Sequence, residues 1–257
     1  MRWFALALAL ALVFLVLPVL AIFLDSPPGE LIEALGQPGA LDALWLSLQT
    51  SVTALAIIVV VGTPAAFLLA TRRFRGRALI ITLIELPLVL PPAVAGIALL
   101  AAIGPSGILG GALEDAGIQF TFETAGVVVA LTFVASPYYL RQAQASFAAL
   151  DRNWLDASRT LGASPARTFA RVAIPTAVPG LVTGGALAFG RALGEFGATL
   201  MFAGSLAGIT QTAPLAIYER FATDFEGALA LSAVLVAVSA AILLSVKFVE
   251  GSALRHG

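Results

Sequence analysis

This sequence predicts an all-α integral membrane fold of six kinked transmembrane helices with both chain ends on the cytoplasmic side, and three observations predict it. Hydrophobic residues make up 60% of the 257 residues and charged residues 11%, with a mean hydropathy of +0.99; soluble domains carry about a quarter charged residues. Six apolar stretches are long enough to span, since about 20 apolar residues cover the hydrocarbon core. The basic residues also segregate. Arg2, Arg72, Arg73, Arg75, Arg77, Arg141, Arg152, Arg159, Arg167, Arg171, Lys247 and Arg255 fall on one side of that topology, leaving Arg191 within a span and Arg220 outside. Such a bias marks the cytoplasmic loops.

Residues 3–24 form the first span. Val19, Leu20 and Ala21 resemble a signal-peptide cleavage site, but the apolar run exceeds a signal-peptide core of about 7–15 residues and Arg2 is the whole basic region, so the helix is read as retained. Residues 25–42 are acidic and broken by Pro27, Pro28 and Pro38, an extracytoplasmic loop with a surface helical turn. The second span, 44–71, carries Pro64 as a kink, and the arginines from Arg72 to Arg77 follow it. The third, 78–103, holds Pro87, Pro91 and Pro92. Broken backbone at membrane depth is tolerated where protein or a water-filled cavity covers it, so this span is expected to line a path.

Residues 104–123 are glycine-rich, with Glu114, Asp115 and Glu123 and no basic residue, and belong outside. The fourth span, 124–147, contains Ser136, Pro137 and, near its cytoplasmic end, Arg141, which snorkelling accommodates and which Glu85 of the third span is placed to pair. In the fifth, 176–203, Gly180, Gly184, Ala188 and Ala192 make one stripe of small residues and Gly190, Gly194 and Ala198 another, so two faces allow close helix approach. Arg191 and Glu195 lie one turn apart in it. Residues 204–226 return outside with a short amphipathic helix bearing Tyr218, Phe221 and Phe225. The sixth span, 227–249, ends at Lys247, with Arg255 and His256 in the tail.

Between the fourth and fifth spans runs a polar interval, 148–175, punctuated as two short helices. Asp151 is a good N-cap, Gly162 a helix stop, and Ser164 before Pro165 a restart. Leu150, Trp154, Ala157 and Leu161 make an apolar stripe, with Arg152, Asp156 and Arg159 opposite. An amphipathic helix held between spans invites a partner protein.

Asp156, Ala157 and Ser158, then Gly162, then Val172, Ala173, Ile174 and Pro175 resemble, in that spacing, the coupling-loop signature of binding-protein-dependent ABC importer permeases, usually a Glu-Ala-Ala triplet, a Gly and an Ile-x-Leu-Pro ending. Asp for Glu, Ser for the second Ala, and Val and Ile for Ile and Leu are chemically conservative departures. The runs 87–96 and 191–204 are similar to the third and fifth spans of molybdate and sulfate permeases. The resemblance implies a type I ABC importer permease fold in one transmembrane domain over 1–257. It also implies a coupling helix (Trp154, Leu155, Asp156, Ala157, Ser158, Leu161, Gly162) that docks into a separate cytosolic ATPase. The implied partners are a second copy of the chain in a homodimer, two ATPase subunits that bind ATP and magnesium, and an extracytoplasmic oxyanion-binding protein, in membrane lipid at the plasma (inner) membrane of a bacterium or archaeon. Residues 209–218 favour molybdate or tungstate over sulfate or thiosulfate. Pro91, Pro92, Gly190, Arg191, Gly194 and Glu195 are the expected path or gate.

The residues themselves fit a chain without catalytic work of its own. Lys247, the single lysine, follows no glycine-rich turn, so no P-loop nucleotide site is expected. The absence of cysteine and the lone His256 leave no thiol chemistry, disulfide or ordinary zinc or haem ligand set, and no cofactor is expected in this chain. A net charge of -1 suggests no nucleic-acid partner. A proton-coupled secondary transporter using Arg191 and Glu195 as its relay is the rival reading. Within either, the pair is a gate element or merely a mutual neutralisation that fixes the fifth span.

Overall fold

The structure, a computed structural model, describes residues 2–253; the tail with Arg255 and His256 lies outside the described residues. Among these the chain is helical, with no strand. α1 (Arg2–Leu24) and α3 (Ala40–Thr71) are the first two apolar spans, joined by α2 (Pro28–Gly36), a full helix where only a turn was expected. Pro28 sits in the first turn of α2, where its missing N–H costs no hydrogen bond.

The third span is not one helix but two, α4 (Arg77–Val89) and α5 (Pro92–Ile103), separated by extended backbone at Leu90 and Pro91. Adjacent prolines withdraw two N–H donors, and each pushes its predecessor out of helical geometry, so the interruption expected from the prolines is a complete break. A short helix, α6 (Gly110–Asp115), leads to α7 (Thr124–Ala148). α7 is the centre of the fold and packs on α3, α10 and α11, the latter two being the halves of the fifth span: α10 (Ile174–Leu193) and α11 (Gly197–Ala203). Val127, Leu131, Ala135, Tyr139, Ala143 and Phe147 form one buried ridge at four-residue spacing, the row that interdigitates in helix packing. Ala130 and Val134 form a second ridge towards α5 and α11.

α12 (Ala213–Phe221) is the short helix expected between the fifth and sixth spans, and α13 (Phe225–Ala253) is the last. Phe225 is not on α12 with Tyr218 and Phe221. It opens α13, with its ring 5.7 Å from that of Phe221, because Asp224 stops the chain and accepts the Gly227 N–H at 2.9 Å as a cap. Four helical stretches of the described residues are long and apolar enough to cross a membrane: Trp3–Leu24, Ala40–Thr71, Pro165–Leu193 and Phe225–Ser245. α7 is less apolar, with Arg141, Gln142, Gln144 and Ser146 in its last turns, and the third span is divided.

Candidate docking helix and pathway face

The polar interval folds as its punctuation predicts. α8 (Arg152–Thr160) starts at Asp151, whose Oδ1 accepts the Asn153 N–H at 2.9 Å, and stops before Gly162, whose φ of +81° is the left-handed geometry glycine adopts cheaply. Ser164 Oγ accepts the Arg167 N–H at 3.3 Å and starts α9 (Pro165–Thr168). A single π turn, Phe169–Ala173, carries α9 into α10 without a loop. Beneath it the rings of Phe67, Phe147 and Phe169 meet at 4.9–6.2 Å. These aromatics were not singled out from the sequence, because they come from the second span, the fourth span and the polar interval.

The two faces of α8 are distributed unexpectedly. Leu155, expected at the docking surface, is buried and anchors α8. With Arg152, Asp156 and Arg159 it lines a small cleft of about 160 Å³ against Thr71 and Phe147. Asp156 and Arg159 pair at 3.4 Å, and Ser158 meets Thr168 at 3.0 Å, tying α8 to α9. Trp154, Ala157 and Leu161 face solvent; Trp154 is 54% and Leu161 88% exposed. The helix thus presents apolar side chains outward.

At the other end of α10 lie the expected gate residues. α10 ends at Gly194, and α11 begins after Phe196. Glu195, 1% exposed, bridges the gap: its Oε1 accepts the Ala198 N–H at 2.6 Å as the cap of α11, and its Oε2 pairs with Arg191 Nη2. The arrangement is more than mutual neutralisation, since one carboxylate fixes both ends of the break. This break lies beside that of the third span. A Cβ on Gly197 would come within 2.8 Å of Pro92, and one on Gly96 within 2.6 Å of Met201 Cβ and 2.7 Å of the Ala198 carbonyl, so α5 and α11 touch backbone to backbone. Gly96 and Gly197 were not singled out from the sequence, because each meets a partner about a hundred residues away along the chain.

The two small-residue stripes of the fifth span behave differently. Gly180 and Gly184 press on α7, where a Cβ would meet Ser146, Gln142 or Tyr139 within 1.7–3.3 Å, and Ala188 and Ala192 are buried. Gly190 faces open space, and Gly194 meets no other element. With exposed Pro91 and Pro92 and partly exposed Arg191, they form a face left open by this chain. The expected pair of Glu85 and Arg141 is present, Nε to Oε1 at 3.2 Å. In the core Thr63 Oγ1 donates to the Val59 carbonyl at 2.6 Å, which leaves the Tyr139 hydroxyl to donate to Thr63 at 2.6 Å and fastens kinked α3 to α7. The Ala213 N–H donates to Ser47 Oγ at 2.7 Å, and the Tyr218 ring meets that of Phe196 at 4.9 Å, tilted by 52°, so α12 covers the break in the fifth span.

Residues 62–252 match the model of a protein family described as binding-protein-dependent transport system inner membrane component. The molybdenum transport system permease protein ModB of Mycobacterium tuberculosis is 42% identical over 95% of this chain and 93% of its own length. A probable sulfate transport system permease protein, cysT of Nephroselmis olivacea, is 33% identical over 96% and 89%. Among solved structures, a bacterial alginate ABC transporter in complex with an alginate pentasaccharide-bound periplasmic protein superposes with a TM-score of 0.74 at 15% identity, over 95% of this chain and 92% of that one; at that identity the likeness concerns the fold. With two breaks side by side on an α7 hub and a capped helix in the polar loop, this multi-pass membrane chain belongs to the family of binding-protein-dependent transport system inner membrane components, the permeases of ABC importers.

Proposed function

We propose that the chain, as one transmembrane permease domain, is the translocating subunit of an ATP-driven importer for an oxyanion, molybdate or tungstate, in the inner membrane of a bacterium or archaeon. The observation that carries this is the likeness to molybdenum permeases over 95% of the chain. Six spans, cytoplasmic termini and a homodimer complete the reading. The nucleotide and magnesium belong to two separate ATPase subunits, and the substrate arrives on an extracytoplasmic binding protein, a partner kind that the alginate transporter also has.

The geometry offers a lever for coupling. α9, the π turn and α10 run as one helical stretch from Pro165 to Leu193, roughly 40 Å at 1.5 Å per residue. Trp154, Ala157 and Leu161 would enter the ATPase groove, while Leu155 holds α8 to the membrane part. Closure of the ATPase dimer would push α8 and, through α10, shift the break at Gly194 and Glu195, exchanging inward- and outward-open states by differential binding. Arg191, the cation among the expected path residues, is already paired with Glu195, so a dianion would meet no deep electrostatic trap on the way.

The test is co-purification with the cognate ATPase, followed by ATP hydrolysis in proteoliposomes with the binding protein. Leu161→Asp, at a side chain that supports nothing within the chain, is expected to leave the permease folded and abolish ATPase association. Stimulation by the molybdate-loaded binding protein is the expected result. Stimulation by sulfate alone would transfer the reading to sulfate, which the sulfate-permease relative favours. Transport by the chain alone down a proton gradient would replace it with a secondary transporter using Arg191 and Glu195.

A further inference from the structure

The turn between α3 and α4 carries Arg72, Arg73, Phe74, Arg75 and Arg77. Arg77 is committed: its Nε donates to the Leu69 carbonyl at 2.7 Å, satisfying an orphan acceptor at the end of α3. Arg72, Arg73 and Arg75 are exposed and make no ion pair or side-chain hydrogen bond among the described residues. The acids whose side chains are described on this side are already engaged: Glu85 by Arg141, Asp156 by Arg159, and Asp151 as the cap of α8. Three guanidiniums therefore stand within four residues without a counter-charge among the described residues. Phe74 between them is 39% exposed, and α4, which leaves the turn, has no buried residue, with Leu79, Ile80, Leu83 and Leu86 all exposed. An apolar helix that meets the described chain through α7 and leaves its other side open places its first turn at the membrane surface, where an aromatic ring lies at headgroup level and arginines meet lipid phosphates.

We propose that the Arg72–Arg75 turn is a binding site for the phosphate of anionic phospholipid headgroups, with Phe74 seated in the interface. The site does not depend on the transport reading. It also adjoins the docking helix, since Thr71, one residue before the turn, lines the same cleft as Arg152, Leu155 and Asp156. The lipid charge around the protein thereby reaches the root of α8.

The purified full-length chain in a nonionic detergent is titrated with dioctanoyl phosphatidylglycerol, dioctanoyl phosphatidylcholine and inorganic phosphate, and bound lipid is counted by native mass spectrometry. Each arginine near an anionic headgroup is worth about fivefold in affinity. The wild type should prefer phosphatidylglycerol by at least about tenfold, the triple variant Arg72→Gln/Arg73→Gln/Arg75→Gln should lose that preference to within about twofold, and the triple lysine variant should keep most of it. Should the glutamine variant fail to fold, salt decides with the wild type: about 0.5 M NaCl must collapse the preference, because exposed charges are screened there. An unchanged preference in the glutamine variant or in high salt overturns the proposal. Displacement of the lipid by equimolar phosphate overturns it in favour of a soluble-anion site. Loss of ATPase association with lipid binding intact assigns the arginines to the ATPase and overturns it as well.

Discussion

Gly162 and Gly96 do different things for different reasons, and single substitutions separate them. At Gly162 a Cβ meets nothing within 4 Å, so the only obstacle is the φ of +81°. Gly162→Ala should cost about 1 kcal/mol, whereas Gly162→Asn, a residue that tolerates this conformation, should cost visibly less. Thermal unfolding in detergent and proteolysis between residues 160 and 165 would read the difference; equal behaviour of the two variants would mean the backbone there is not strained. At Gly96 the backbone is relaxed and the space is full. Gly96→Val should separate α5 from α11 and cost more than about 3 kcal/mol, while Gly190→Ala, facing open space, should melt within about 1 kcal/mol of wild type. The first glycine was legible in the sequence because a helix stop is a local property. The second was not, because the Met201 and Ala198 it touches are about a hundred residues away along the chain.

At the scale of elements, the same division between local and distant information decides what could be read. The start of α8 at Asp151, its stop at Gly162 and the restart at Ser164 and Pro165 are written within a few residues of each boundary, and they came out as expected. The burial of Leu155 was not legible: periodicity identifies an apolar face, but which face meets the chain depends on where α3 and α7 end. The prolines of the third span marked interrupted backbone, whereas the fifth span read as one continuous stretch, 176–203. What holds the gap in the fifth span is Glu195, which serves Arg191 and Ala198 together. Glu195→Gln should therefore destabilise by about 3 kcal/mol, the cost of leaving a largely buried guanidinium unpaired. Removing Arg191 as well should recover part of that loss. A thermodynamic cycle over Arg191→Gln, Glu195→Gln and the double variant would measure the coupling. Strict additivity would show that the carboxylate acts as a cap alone and that the ion pair contributes nothing to holding the break.

In the molecule as a whole, packing is concentrated in a few elements. α7 presents one ridge to α3 and α10 and another to α5 and α11, while α1 meets the described chain chiefly through α13, and none of its most apolar window is buried. Between helices in lipid the driving force is packing, not removal from water, so stability should follow contact and not hydrophobicity. Two leucines test this, one on the more apolar α1 and one on the less apolar α7. Leu131 on α7 is 1% exposed and Leu10 on α1 is 63% exposed. Leu131→Ala should cost roughly 2 kcal/mol, the cavity left in a filled interface, and Leu10→Ala should leave the melting of the isolated chain unchanged. The comparison becomes more informative in the assembled transporter. If Leu10→Ala, silent in the isolated chain, weakens the complex, then α1 packs on another subunit, and the hydrophobicity that the sequence spends there serves assembly. If it stays silent, α1 faces lipid throughout, and α7 with its neighbours carries the permease alone.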